Sequence, residues 1–291
     1  DQHTGSKKAQ ELLNLLDVQN KGIKVEDEIG ILTSADMIRT TFKQLDFSGF
    51  TKAGKVDAAD LIAKSEGLEA PAAKLVFVND ELVHSESQLP EGVVCLPLAV
   101  ALVSHGGLVQ EHFMKQEPRL GSAKYAALHE ASLTNGLFVH VADNVEVNGT
   151  IEVHHWISGK NIVTFPHTLI VTGKHAKVRV VDMFRSAYDA EPAVVIAFND
   201  LRTGNGSKLD YVAIQALNEQ TRVIQINETG ASRDASTIGL IINTGASWVR
   251  NESLSRLEGP GSRSEMLSVS IPSHEQEYDQ RTFQHHVSEG A

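Results

Sequence analysis

Hydrophobic positions along this chain of 291 residues follow two different periods, and the change falls near residue 137. Before it, apolar residues recur at helical spacing. Ala9, Leu12, Leu13 and Leu16 occupy one helix face, and Ala58, Leu61, Ile62 and Ser65 occupy another, with Asp57 as N-cap and Gly67 as stop. Short apolar runs at 74–78 (KLVFV) and 92–96 (GVVCL) predict strands. LAVALVSHGG, from Leu98, predicts a helix ended by its paired glycines, and SAKYAALHEASL, from Ser122 to Leu133, predicts a further helix. Residues 1–135 therefore read as a small helical or mixed region, and residues 136–291 as a separate, almost entirely β region.

The second region repeats irregularly. Glycines followed by a mostly small residue occur at Gly149, Gly173, Gly206, Gly230, Gly245, Gly261 and Gly290, at spacings of 24, 33, 24, 15, 16 and 29. Between them lie alternating segments: Ile151 and Val153; Val178 and Val180; Leu209, Tyr211 and Ala213; Ile238, Leu240 and Ile242; Leu267, Val269 and Ile271. Side chains two apart share a strand face, so each segment offers one stripe to a core. Short strands with glycine corners predict a mainly β fold, the stacked coils of a β-helix, each burying its stripe on the next. A β-sandwich, which also uses short strands at regular spacing, is the rival architecture.

Composition narrows the chemistry. A net charge of -11 and a pI near 5.6, with no basic run, argue against nucleic acid and anionic membrane as partners. The longest apolar run, Val93 to Val103, is too short to span a bilayer and contains Pro97, and the first ten residues lack the apolar core of a signal peptide. One cysteine, Cys95, leaves no internal disulfide framework and no cysteine-built zinc site, which suits a cytoplasmic location. Cys95 sits in an apolar run and reads as a packing residue. Asn148, Asn205, Asn227 and Asn251 match the glycosylation pattern, but no secretion signal accompanies them.

Motifs for catalysis are incomplete. GFTKAGKV, from Gly49, has Val56 where a phosphate-binding loop needs Ser or Thr. HEQEY, from His274, carries Tyr278 in place of a second metal-binding histidine. The pairs His154–His155 and His285–His286 invite a metal reading, yet neighbours on a strand point to opposite faces. The residues thus nominate no catalytic, cofactor or metal site. A β-helical enzyme acting on polysaccharide is the alternative, thinly supported by 5% aromatic content and two tryptophans, Trp156 and Trp248. A β-helical interaction module unconnected with any cofactor is the third reading.

Several long blocks carry a family resemblance: PRLGSAKYAALHEASLTNGLFVHVADNVEV, HTLIVTGKHAKVRVVDMFRS, QINETGASRDASTIGLIINTGASWVRNESLSRLEGPGSRSEMLSVSI and QEYDQRTFQHH. Together they resemble the SufB/SufD family of iron-sulfur cluster assembly scaffolds, SufD more than SufB, over about Lys74 to Ala291. That family's tryptophan-containing acidic stretch has its nearest equivalent in ADMIRTTFKQLDF, which lacks tryptophan, so residues 1–73 are weakly covered. The resemblance implies a right-handed parallel β-helix flanked by helical regions, and a non-enzymatic scaffold that pairs with a SufB-like paralogue and a SufC-like ABC ATPase, forms a homodimer when isolated, and holds no cofactor of its own. The cluster would be handled transiently by the full complex. It also implies that family members continue past the position of Ala291, with the cysteine and histidine motif and the SufC-docking region, so the chain reads as a fragment. The D-x-R-T-x-x-x-H arrangement matches Asp279, Arg281, Thr282 and His286, and the resemblance makes these a structural polar coil rather than a chemical site.

Overall fold

The computed structural model describes residues 47–68 and 70–291, so the helix predicted at Ala9 to Leu16 lies outside the described residues. The chain runs β1 (Thr51–Lys52), α1 (Ala59–Ala63), β2 (Ala73–Val78), β3 (Glu81–Ser87), β4 (Val93–Pro97), α2 (Leu98–Ser104), α3 (Gly106–His112), α4 (Ala123–Ser132) and β5 (Leu137–Val141). Strands alone follow: β6 (Ile151–Ile157), β7 (Ile162–Thr164), β8 (His167–Thr172), β9 (Lys177–Ser186), β10 (Ala193–Thr203) and β11 (Lys208–Ala216). The last are β12 (Arg222–Ala231), β13 (Ser236–Asn243), β14 (Trp248–Leu257), β15 (Arg263–Ser270) and β16 (Glu277–His286).

The strands form two sheets, ordered β16-β14-β12-β10-β8-β5-β4 and β15-β13-β11-β9-β6-β2-β3, with β7 beside β10, and from β8 onward successive strands alternate between them. β5, β6 and β7 pair in parallel with β8, β9 and β10, and from β8 to β14 each strand pairs in parallel with the one two elements later, which is a parallel β-helix of about five turns. Val194, Arg222, Trp248 and Glu277 stack in one column at intervals of 28, 26 and 29 residues, so a coil takes just under thirty residues. At the N-terminal end the parallel order stops because β3 and β4 run antiparallel to β2 and β5. The sheets cross residue 136, since β2 pairs with β6. The exposed part of β3 carries Ser85, Glu86 and Ser87, polar residues that discourage pairing at an open edge.

One corner of every coil is left-handed. Asn144, His175, Gly206, Asp234, Gly261 and Gly290 all have φ between 54° and 74° and recur at 31, 31, 28, 27 and 29 residues. The residue after the corner packs inward and is small in Ala176, Ser207, Ala235 and Ser262. The Asn144 and His175 amides donate to the carbonyls of Lys174 and Asn205 in the next coil, both within 2.8 Å, so the corner also joins neighbouring coils. Glycine spacing alone missed this column because Asn, Asp and His tolerate the left-handed region too. Gly230, expected at a turn, lies inside β12 instead.

The core lies between the sheets. Leu75, Phe77, Leu137, Val139, Ile151, Val153, Val180, Leu209 and Tyr211 fill its first coils, so three of the predicted stripes face inward. The stripes of β13 and β15 do not. Thr237, Gly239, Ile241 and Asn243 stand in register with the inward Leu209, Tyr211, Ala213 and Gln215, which turns Ile238, Leu240 and Ile242 outward. Leu267, Val269 and Ile271 follow them and are 47%, 45% and 59% exposed. Inside these later coils the lining is polar: the Asn199 amide donates to Asn227 (2.8 Å), and Asn227 donates to Ser253 Oγ (3.3 Å). Asn227 and Asn251 are therefore buried rather than presented for modification.

The outer face of the first sheet is covered by the helices. α4 lays Tyr125, Ala126 and Leu128 over Ile196, Phe198, Ile224 and Ile226. α1 follows the prediction in shortened form, with the Ala59 amide bonded to Asp57 Oδ1 (3.1 Å). The predicted helix from Leu98 is two helices. It breaks at His105 (φ -131°), and Gly106 and Gly107 begin α3 instead of ending α2.

Candidate functional site

Polar chemistry concentrates on the outer face of the first sheet. Stacking in register brings His167, Phe198, Ile226, Glu252 and Arg281 into one column, with Asp200 beside Glu228 in the next. Arg250 and Asp279 form a third column entry on β14 and β16. Asp200, Arg202, Glu228, Arg250 and Glu252 are all buried. Charges at such depth persist only when paired and hydrogen-bonded. Arg202 donates to Asp200 Oδ1 (2.7 Å), Arg250 Nε donates to Glu252 Oε1 (2.8 Å), and Arg250 Nη1 donates to Asp279 Oδ2.

A strap, residues 113–122, crosses these columns between α3 and α4. The Met114 amide donates to Asp200 Oδ2 (2.7 Å). Gln116, in the amide orientation that satisfies both its ends, donates to Glu228 Oε2 (2.9 Å) and accepts from Arg202. The Leu120 carbonyl accepts from Arg250 (2.5 Å) and Arg281 (3.3 Å). Ser122, at the N-terminus of α4, donates to Glu252 through its hydroxyl (2.7 Å) and its amide (3.3 Å). Coil side chains thus hold the strap at four successive strands. Burial raises the Asp200 carboxyl, which Arg202 pulls back, and pushes Glu228 up to about 8 against the opposing pull of Arg202. Burial also lowers Arg250, with Glu252 and Asp279 working against it.

Next to this face His129 and His167 form a buried relay. His129 Nδ1 donates to the Ile196 carbonyl (2.8 Å), so its Nε2 accepts from His167 Nδ1 (3.1 Å). His167 Nε2 then faces Asp200 Oδ2 at 3.7 Å. Burial holds His129 down to about 4 and His167 well below its ordinary value. Inside the coils, Asp182 accepts from Thr168 Oγ1 (3.0 Å) and Tyr211 OH (2.7 Å) and faces His155 Nε2 at 3.3 Å. His155 is stacked between Phe77 and Phe184 at 5.2 and 4.8 Å.

Each residue singled out in the sequence has a definite place. Asp279 and Arg281 sit two apart on the outer face of β16, 3.4 Å from each other, and both reach the strap–Arg250 junction. Thr282 is in register with Ser253 on the other face, and His286 donates to the Ala291 carbonyl (2.7 Å). His155 turns inward to Asp182, whereas His154 turns outward, 3.5 Å from Glu152 Oε2, with burial pushing it down to about 4. His274 lies at an exposed left-handed turn. Cys95 is partly buried against the core, and burial pushes its thiol up to about 12. Thr51 and Lys52, within the stretch resembling a phosphate loop, pair with β7. The sequence reading missed Asp200, Arg202, Glu228, Arg250 and Glu252. Their signal is a pair of charged residues two apart within a strand, as in AFNDLRT (Asp200, Arg202) and WVRNESL (Arg250, Glu252). Among the described residues no group of three or more His, Cys, Asp and Glu is arranged to hold a metal ion, and no helix is long and apolar enough to cross a membrane.

A stack of parallel coils, strapped on one outer face and capped by antiparallel strands, places the chain among the parallel β-helix proteins. The family model for the SufBD core domain of SUF-system iron-sulfur cluster assembly matches residues 155–291, and that for the SufBD N-terminal region matches residues 68–153. The chain belongs to the SufBD family. It is 28% identical over 149 residues to the iron-sulfur cluster assembly protein SufD of Bacillus subtilis, which covers 51% of this chain and 34% of that protein. It is 23% identical over 189 residues to SufB of the same organism, covering 65% of this chain and 40% of the relative. A SufBD family protein of Pyrococcus horikoshii is 20% identical over 156 residues, covering 54% and 35%. The matched stretches thus span well under half of these relatives' own lengths.

Proposed function

We propose that this chain is the β-helical part of a SufD-type scaffold subunit in SUF iron-sulfur cluster assembly, non-enzymatic in itself, acting with a SufB-like paralogue and a SufC-like ATPase in the cytoplasm. The observation that carries the reading is the pair of adjoining family matches, whose joint span coincides with the coil stack from β2 to β16. Scaffolding suits the physics of the fold. Backbone ladders join every coil to the next, and buried ion pairs and side-chain ladders add lateral ties, so displacement at one end is transmitted with little loss. The cluster is cargo on this reading, assembled at an interface between subunits. An isolated chain would form homodimers through the surface otherwise given to the paralogue.

The test is co-expression of the chain, in its native reading frame, with the SufB and SufC homologues of the same genome, followed by affinity purification and native mass measurement. Retention of both in a defined stoichiometry supports the proposal. A well-folded preparation that retains neither, with both partners soluble and present, overturns it.

A further inference from the structure

The sequence holds three Asn-Gly dipeptides, Asn135–Gly136, Asn148–Gly149 and Asn205–Gly206. In each, glycine offers a backbone nitrogen unhindered by a side chain, next to an asparagine side-chain carbonyl that this nitrogen can attack. The fold separates them. Asn205–Gly206 lies in the column of left-handed corners, and its peptide unit is held from both sides: the Gly206 amide donates to the Arg233 carbonyl (2.8 Å), and the Asn205 carbonyl accepts from the His175 amide (2.8 Å). The His175 ring also closes over Gly206. At Asn135–Gly136 the glycine is buried against the His167 backbone, and its carbonyl accepts from the Leu98 amide (2.7 Å). The Asn135 side chain is engaged as well, its Oδ1 accepting from the Ala99 amide (3.4 Å).

Asn148–Gly149 is exposed at both residues, in the irregular link between β5 and β6. Among the described residues nothing hydrogen-bonds to the Gly149 amide or to the Asn148 carbonyl. Its neighbours are fixed on either side: the Val147 amide donates to the Lys177 carbonyl (2.9 Å), and the Thr150 carbonyl accepts from the Ala72 amide (2.9 Å). Two free residues between two anchored ones leave this peptide unit able to turn toward the asparagine side chain.

We propose that Asn148 is a site of spontaneous, age-dependent modification to aspartate and isoaspartate, and that the fold protects the same dipeptide at Asn135 and Asn205. The Gly149 nitrogen attacks Asn148 Cγ while its proton passes to water or hydroxide. The new N–C bond closes a five-membered succinimide, and the Cγ–Nδ2 bond breaks with loss of ammonia. Water then adds to either ring carbonyl and reopens the ring. One water is consumed and one ammonia released, with no oxidation or reduction. Because the amide must give up its proton in the first step, the Gly206 bond to Arg233 opposes the same reaction at Asn205. The product places a new carboxylate two residues from Glu146, which already pairs with Lys177 (2.8 Å). The isoaspartate form also lengthens the backbone just before β6, where Thr150 is anchored to Ala72.

The test is incubation of the folded chain in heavy-oxygen water at mildly alkaline pH, followed by peptide mapping that reads heavy-oxygen incorporation at each of the three asparagines. Opening the two hydrogen bonds that clamp the Asn205–Gly206 peptide slows the reaction there about tenfold or more. Asn148 should therefore convert about ten times faster than Asn205, and faster than Asn135. In urea, where all three are the same dipeptide in an open chain, the rates should draw level. Conversion of Asn148 no faster than that of Asn205 or Asn135 in the folded chain overturns the proposal. A difference of the same size in urea also overturns it, because the selectivity would then belong to the local sequence and not to the fold.

Discussion

Arg250, fully buried on β14, donates through Nη1 to Asp279 Oδ2 on the next coil, and the same guanidinium holds the Leu120 carbonyl of the strap. Residues 29 apart in sequence are thereby neighbours in register, and the ion pair ties the last coil to the one before it. Breaking a buried pair costs about 3–5 kcal/mol, and Asp279, with its side chain 23% exposed, falls below that range, at about 1–3 kcal/mol. Asp279→Ala should lower the melting temperature by several degrees. A calorimetric scan measures this. Unchanged melting together with lost cluster assembly would reverse the structural assignment of Asp279 and Arg281 and make this coil a chemical site.

Glu252 has a heavier role, since it holds Arg250 and receives both donors of Ser122 at the start of α4. An anion at a helix N-terminus is favourable, and here it arrives from the coil rather than from the helix's own sequence. Glu252→Ala should cost about 3–5 kcal/mol in urea unfolding and lower hydrogen-exchange protection in the first turn of α4. Wild-type protection there would mean that packing of Tyr125 and Leu128 alone seats the helix.

The buried histidines predict the acid limb of stability. His129 is held down to about 4 in the folded state, so the unfolded chain takes up its proton first as pH falls below about 6.5. The stability this provides is complete above that pH and disappears as pH drops toward 4, by about 3 kcal/mol for His129. Glu228 acts in the opposite sense: its raised value stabilises the fold at low pH and is lost as pH climbs through about 8. Comparing wild type with His129→Gln cancels the Glu228 contribution. The wild-type advantage should shrink steadily from pH 7 to pH 4.5, and a constant difference would show that His129 does not titrate between the two states.

Two glycines should respond oppositely to alanine. Gly239 faces a small cavity of about 20 Å³ bounded by Tyr211, Asn227 and Ser253, and a Cβ there meets only the Glu265 carbonyl, at 3.9 Å. Gly239→Ala should stabilise by about 0.5–1 kcal/mol. At Gly245 a Cβ would fall 2.1 Å from the Leu217 carbonyl oxygen, so Gly245→Ala should destabilise. Equal melting temperatures for the two variants would contradict this assignment of the coil interior.

The alternating pattern was sufficient to announce a stack of short strands, and in β6, β9 and β11 it also named the inward residues Ile151, Val180 and Leu209. Each of those strands has one clearly apolar face, and burial of that face is the largest available gain. The family blocks, being long and ordered, likewise lie in the sequence itself. The corners were half legible: Gly206, Gly261 and Gly290 stood out, while Asn144, His175 and Asp234 in the same column did not, because their residue types signal a left-handed turn only weakly.

Tertiary structure alone decided which way β13 and β15 face. Both carry an apolar stripe, but a strand joining a stack inherits its facing from the register of its neighbour, and that register sets Gly239 under Tyr211 and sends Leu240 outward. A period of two says that two faces differ and leaves open which one is inside. The charged face was hidden for a related reason. Asp200, Glu228, Arg250 and Glu252 each look like a solvated residue in its own strand, and only coils of just under thirty residues, laid in register beneath a strap from a distant part of the chain, turn them into one buried network.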